Sequence, residues 1–183
     1  CIDRIKVMFP MVSTIEDFLD AKNYVNEIAE ELDLKTPPLG IMVETPSSAL
    51  MSDQFSEVVD FISIGTNDLT QYIMAADRGN GNLSKYQNPL HPAVLRAISD
   101  VINNCRKNKI EVSVCGEMAS DPISALALYI LGLRTFSMSP SAVPFVFEIL
   151  EENFENIPEK FEEKILSATN AEEVTLLIKE NIL

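Results

Sequence analysis

The chain is short of positive charge, of paired cysteines and of histidine, and each shortage excludes something. Lys and Arg total 14 against 28 Asp and Glu, a formal net charge of -14 over 183 residues. Binding to a nucleic-acid backbone rests on clustered cations that displace counterions, so this balance argues against a nucleic-acid partner. The deficit is uneven: from Glu148 to Leu183 there are ten Glu and three Lys, which carry half of the net charge. A solvated helical face accounts for that tail, with a local partner surface as the other reading. Cys1, Cys105 and Cys115 are odd in number and lack a paired spacing. That speaks against a disulfide framework and for a reducing, cytoplasmic setting. No apolar run reaches the roughly 18 residues of a membrane span, and no basic segment leads into a hydrophobic one at the start, so no membrane association is expected. The first residue is Cys rather than Met, and a piece of a longer polypeptide is expected.

What is present is ample core material. Hydrophobic residues make up 46%, near the globular norm. Five short apolar runs alternate with helical patterns: Ile5 to Met8, Leu39 to Val43, Val58 to Ile64, Ile110 to Val114 and Thr135 to Met138. Ser13 and Glu16 fit a capping box, in which each side chain takes an otherwise unpaired backbone N–H. Ile15, Phe18, Leu19, Val25, Ile28 and Leu32 follow at helical spacing. His91-Pro92 opens a helix whose apolar face is Val94, Leu95, Ile98, Val101 and Ile102, with proline where its missing N–H costs nothing. Asp121-Pro122 opens another, which stops at Gly132. Five strands each followed by a helix predict a parallel α/β sheet with right-handed crossovers. A terminal helical pair, residues 156–183, closes the chain.

The polar residues with chemistry gather at one place in this pattern. Glu44, Asn67, Asp68, Cys115 and Ser137 to Ser139 lie at or just past the C-terminal ends of the runs, the edge where α/β proteins build sites. Two carboxylates from neighbouring strands suit Mg²⁺, which takes a few hard oxygens and keeps waters or substrate oxygens. On spacing alone, a helix cap by Asp68 and a Lys pair for Glu44 explain them as well. A thiol of ordinary pKa, about 8.5, carries its proton near neutrality. Cys115 could therefore donate a proton, act as a nucleophile once activated, or be a structural cysteine. Gly116 beside it leaves room for a ligand. Arg78, in a loop rich in Gly and Asn, can clamp a phosphate or carboxylate, or pair with Asp77. His91 reads as a helix-start residue and Cys105 as a structural thiol.

Longer strings carry a resemblance. Gly40-Ile41-Met42-Val43-Glu44-Thr45-Pro46 is followed by Asp60 to Tyr72 (DFISIGTNDLTQY), Asp77-Arg78-Gly79-Asn80, Cys115-Gly116-Glu117 and Phe136-Ser137-Met138-Ser139. In this order they resemble the PEP-utilising enzyme family, and within it the enzyme I branch of the bacterial sugar phosphotransferase system. The resemblance covers nearly all of residues 1–183. It implies a (β/α)8 TIM-barrel domain present only as its C-terminal part, about five βα units. It implies Glu44 and Asp68 as Mg²⁺ ligands, and Asn67, Asp68 and Arg78 as contacts to phosphoenolpyruvate. Cys115 is implied as the acid that protonates the enolate to pyruvate.

The resemblance also implies partners: a histidine-bearing N-terminal domain that accepts the phosphoryl group, a histidine-containing phosphocarrier protein, and a second copy in a homodimer. The first run matches the family's fourth strand. Three strands with their phosphate-gripping arginines are thus missing, so the chain alone is expected not to turn over phosphoenolpyruvate and to expose open sheet edges. A Mg²⁺-dependent lyase or aldolase acting on a pyruvate enolate, and a non-catalytic docking piece, are the alternatives.

Overall fold

Residues 5–183 are described by a computed structural model; Cys1 lies outside the described residues. Among these, β1 (Val7–Phe9), β2 (Leu39–Val43), β3 (Phe61–Gly65) and β4 (Glu111–Cys115) form one sheet. All neighbours are parallel, and the spatial order is the chain order, β1-β2-β3-β4. Parallel neighbours need crossovers, and crossovers of one hand in a sheet that never reverses direction fall on one face. A doubly wound sheet reverses at a switch point and covers both faces. The uninterrupted order here is that of a (β/α)-barrel sector.

The helices that fill the crossovers are α1 (Ile15–Glu31), α2 (Pro46–Leu50), α3 (Ser52–Val58), α4 (Thr66–Ile73), α5 (Pro92–Asn108), α6 (Glu117–Ser120) and α7 (Pro122–Ile130). Along β3 the alternation is strict: Ile62 and Ile64 are fully buried toward the helices, while Ser63 and Gly65 point the other way. The expected face of α5 is all core, with Val94, Leu95, Ile98, Val101 and Ile102 fully buried. Each such side chain contributes about 1.5–3 kcal/mol by leaving water. His91 caps this helix, its Nδ1 accepting from Ala93 N at 3.2 Å. Asp121 caps α7 by accepting from Ser124 N at 2.8 Å, and Gly132 (φ 96°) turns the chain after it. The chain ends in α8 (Val143–Asn153), α9 (Phe161–Ser167) and α10 (Ala171–Asn181). Phe161, Ile165, Val174 and Ile178 of the last two join the same core, and Arg96 Nε reaches Leu166 O at 2.8 Å. The terminal pair is packed into the barrel sector.

Several expectations shift. The fifth run makes one parallel bridge, Phe136 to Val114, with Ser137 N donating to Val114 O at 2.9 Å. Nothing pairs with its far edge among the described residues, so the predicted fifth strand keeps its register but has no second ladder to extend it. The capping box lies one residue later: Thr14 Oγ1 accepts from Asp17 N at 3.2 Å and Asp17 Oδ2 from Thr14 N at 3.0 Å. Asp17 lies close to the Ser13 N–H as well (3.4 Å), so it serves the donors assigned to Glu16. Of the apolar set on α1, Phe18 is fully buried, but Leu19, Ile28 and Leu32 are exposed. At the other end, Phe145 and Phe147 on α8 are 64% and 61% exposed. Both helices lie at the open ends of the sector, where a closed barrel would place further βα units against them.

Candidate functional site

The site is built where β2, β3 and β4 end. Glu44 follows β2 and is 4% exposed, yet among the described residues it forms no ion pair. The Lys pairing considered from the sequence is therefore absent there. Its Oε1 accepts from Met11 N at 2.7 Å. Met11 holds φ at 54°, a left-handed conformation that costs a non-glycine residue of order 1–3 kcal/mol. Thr45 ties the same turn by donating to Val12 O at 3.2 Å. The other carboxylate oxygen, Oε2, lies over Gly65: a Cβ there would stand 2.9 Å from it. Glycine at that point lets Glu44 reach across the end of β3.

Asn67 and Asp68 sit in the first turn of α4, directly after β3. No side chain caps α4, so its first N–H groups keep their donor capacity toward the strand-end edge. Asp68 Oδ1 accepts from Arg78 Nη2 at 3.0 Å. Asp77, the competing partner, instead accepts from Gly79 N at 2.9 Å and fixes the turn. Arg78 N donates to Gln71 Oε1 at 3.2 Å, and Gln87 Nε2 donates to Asp77 O at 2.7 Å. The polar loop is thereby folded back over α4. It leaves a cavity of about 240 Å³ lined by Asn67, Gln71, Arg78, Gln87 and Glu117, among others.

Cys115 ends β4, half-buried, opposite Gly65 in the register. Its Sγ lies 3.6 Å from Ser63 Oγ, which donates to it, and 3.6 Å from Ile64 O, to which the thiol donates. The next residue, Gly116, has φ 99° and ψ -171°, a conformation reserved for glycine. Room for a ligand is not what its missing side chain provides. A Cβ would stand 2.7 Å from Thr66 Oγ1 and 3.1 Å from Asn67 Oδ1, so the space is taken by α4. Thr66 Oγ1 donates to Cys115 O at 3.0 Å and Asn67 Oδ1 accepts from Glu117 N at 3.0 Å. The Cys-Gly-Glu loop is clipped to the start of α4.

The structure thus brings Glu44, Asn67, Asp68, Arg78 and Cys115 to one edge, on the ends of three adjacent strands. Ser137 and Ser139 lie past the Phe136 bridge, with Ser139 Oγ 3.1 Å from Ser141 Oγ. Cys105 is buried on α5, and burial pushes its thiol up to about 12. Ser63, Thr66, Gln71 and Glu117 also reach this edge. All four stand inside the strings that carry the family resemblance, although strand-end spacing does not single them out.

Among the described residues no group of three or more His, Cys, Asp or Glu is placed to hold a metal. The donor set still fits Mg²⁺. Two hard carboxylates flank one strand end, and one of them is buried without a cation, which is unfavourable unless coordinated.

Residues 2–153 match the family model described as PEP-utilising enzyme, PEP-binding domain. The phosphoenolpyruvate-protein phosphotransferase of Bacillus subtilis (strain 168) is 43% identical over 97% of this chain and 32% of its own length. That of Geobacillus stearothermophilus is 41% identical over 96% of the chain and 32% of its own. The chain therefore spans about a third of the length of these curated relatives. Among solved structures, a citrate lyase from Burkholderia xenovorans LB400 superposes with a TM-score of 0.61 at 15% identity, over 95% of this chain and 61% of that one. A Haloferax volcanii malate synthase gives 0.58 at 15% identity, over 89% and 47%. At such identity these two speak to the fold alone. The match over residues 2–153, on a strand-end site of this form, shows that the chain belongs to the PEP-utilising enzymes, as their PEP-binding domain.

Proposed function

We propose that the chain is the phosphoenolpyruvate-binding part of a cytoplasmic phosphoenolpyruvate–protein phosphotransferase. The observation that carries this reading is the interlocked edge, where Glu44 lies over Gly65, Arg78 on Asp68, and the Cys115 loop on Thr66 and Asn67. Arg78 clamps the phosphate or carboxylate through its planar fork, and Asn67 offers its amide beside it. Glu44 and Asp68 would hold Mg²⁺, with waters and substrate oxygens completing its shell. Once bound, the ion offsets phosphate and enolate charge. The phosphoryl group leaves for a histidine on a separate domain, and from there for a phosphocarrier protein. Cys115 gives its proton to C3 of the remaining enolate, which becomes pyruvate. In the intact protein a homodimer is the expected assembly. A lyase acting on a pyruvate enolate could also use the strand-end carboxylates Glu44 and Asp68, but the strings around Asn67 to Gln71 and Cys115 to Glu117 weigh against it.

The test is a chimera. This chain replaces the matching third of the Bacillus subtilis relative, and pyruvate release from phosphoenolpyruvate is followed. Turnover is expected, with a loss of about 10²–10⁴-fold in Cys115→Ala and unchanged phosphoenolpyruvate binding. Glu44→Gln should raise the Mg²⁺ requirement. Full turnover in Cys115→Ala would remove the thiol from the mechanism, and an unchanged Mg²⁺ titration in Glu44→Gln would remove Glu44 from the metal site.

A further inference from the structure

We infer that Ser63 is a positioning residue for Cys115: its hydroxyl holds the thiol in place and stabilises the thiolate left when the proton departs. This rests on the reading of Cys115 as proton donor. Ser63 lies in the middle of β3, on the face opposite Ile62 and Ile64. The inner face of a barrel is ordinarily filled by Val, Ile or Leu, and a hydroxyl buried there is unfavourable without a partner. Ser63 is 6% exposed, and its hydroxyl has one protein partner among the described residues, Cys115 Sγ at 3.6 Å. Its register neighbours Met42 and Ser113 take no bond from it.

The thiol is thus held between a donor, Ser63 Oγ–H, and an acceptor, Ile64 O, each at 3.6 Å. The two contacts act on different forms of the sulfur. Ile64 O can bind only the protonated thiol. Ser63 can donate to either form, and its bond strengthens when the sulfur is charged. In the proton transfer the S–H bond breaks and its electron pair stays on sulfur. The π pair of the enolate forms the new C3–H bond, and the enolate oxygen becomes the ketone of pyruvate. Ser63 keeps its own proton throughout and acts only through Cys115. The charged groups on the surrounding elements are Glu44 after β2, Asp68 in α4 with Arg78 beyond it, and Glu117 in α6.

The experiment uses the chain itself and needs no turnover. Alkylation of Cys115 by iodoacetamide is followed by peptide mass from pH 6.5 to 10.5 in wild type, Ser63→Ala and Ser63→Thr. Only the thiolate reacts. Loss of a charge-assisted hydrogen bond should slow Ser63→Ala about tenfold near neutrality, a difference that closes at high pH where every thiol is ionised. Ser63→Thr, which keeps the hydroxyl, should restore the wild-type profile. Should the alanine form not fold, Ser63→Val, which matches threonine in shape and lacks the hydroxyl, takes its place with the same expected direction. Superimposable profiles would overturn the inference. So would a change that is equal at all pH values and unrescued by threonine, which marks altered access instead. Because no phosphoenolpyruvate is involved, this result is separate from the Cys115→Ala chimera, which judges the acid role.

Discussion

Gly116→Ala puts the clip between the Cys115 loop and α4 to a quantitative test. Two costs add. The backbone at φ 99° and ψ -171° suits glycine alone, and holding alanine there costs about 1–3 kcal/mol. The new Cβ also stands 2.7 Å from Thr66 Oγ1 and 3.1 Å from Asn67 Oδ1. Relief must move these short side chains, which are the ones bonded to Cys115 O and Glu117 N at 3.0 Å each. Each bond is worth about 0.5–1.5 kcal/mol. The total is a loss of about 2–6 kcal/mol, a large share of the usual 5–15 kcal/mol of a domain. Urea unfolding followed by circular dichroism reads it: with a slope near 2 kcal/mol/M, the midpoint falls by about 1–3 M. Gly81→Ala is the control, since nothing lies within 4 Å of its added Cβ, and it should stay within about 0.5 kcal/mol. Thr66→Ala combined with Gly116→Ala should lose less than the sum of the two, because the Thr66 bond is counted once. A Gly116→Ala midpoint equal to wild type would refute the account of the loop.

Other expectations follow from the same geometry. Burial holds the Cys105 thiol up at about 12, so iodoacetamide at pH 8 should label Cys115 in the native chain and spare Cys105 until urea is added; equal labelling would contradict the packing of α5. Arg78→Ala should change stability by less than about 1 kcal/mol, because the pair with Asp68 is 47% and 33% exposed. In the chimera, the same variant should raise the KM for phosphoenolpyruvate at least about tenfold, as loss of a charge-assisted contact demands. An unaltered KM would take Arg78 out of the substrate grip. Asp17 is held below its ordinary 3.8 by the Thr14 hydroxyl and the Thr14 and Ser13 N–H groups, and Glu173 below 4.5 by Thr169. Both depressed values add stability that is full above the ordinary pKa and is lost as pH falls through the folded one. Between pH 5 and pH 2.5 the wild-type urea midpoint should therefore fall more than that of Asp17→Asn with Glu173→Gln, and parallel falls would show that the caps are not charged.

Much of this was readable in the residues, because local rules and short strings carried it. The proline-opened helices at Pro92 and Pro122 and the glycine at Gly132 have local causes, and each appears where the pattern put it. The run expected over Val58 to Ile64 becomes strand only from Phe61, because Val58 closes α3. The strand-end position of Glu44, Asp68 and Cys115 follows from the same alternation of strand and helix. Errors came where two spellings satisfy one rule, as with Ser13–Glu16 and Thr14–Asp17, or where a strand depends on a neighbour, as at Phe136.

The amino-acid sequence by itself determined the order of strands and helices, the strand ends on which the polar residues fall, and the family strings. All of these depend on residues a few positions apart. Only the tertiary structure decided that Arg78 lies on Asp68 rather than Asp77, and that Glu44 has a strained backbone N–H as its partner instead of a lysine. It alone also showed that the space at Gly116 belongs to Thr66 and Asn67, and that Ser63 reaches Cys115. The physical reason is distance along the chain. Glu44 and Met11 are 33 residues apart, and Ser63 and Cys115 are 52 apart. Contacts that far apart are set by how parallel strands register side by side, a choice made by the packed core as a whole and written in no single stretch of residues.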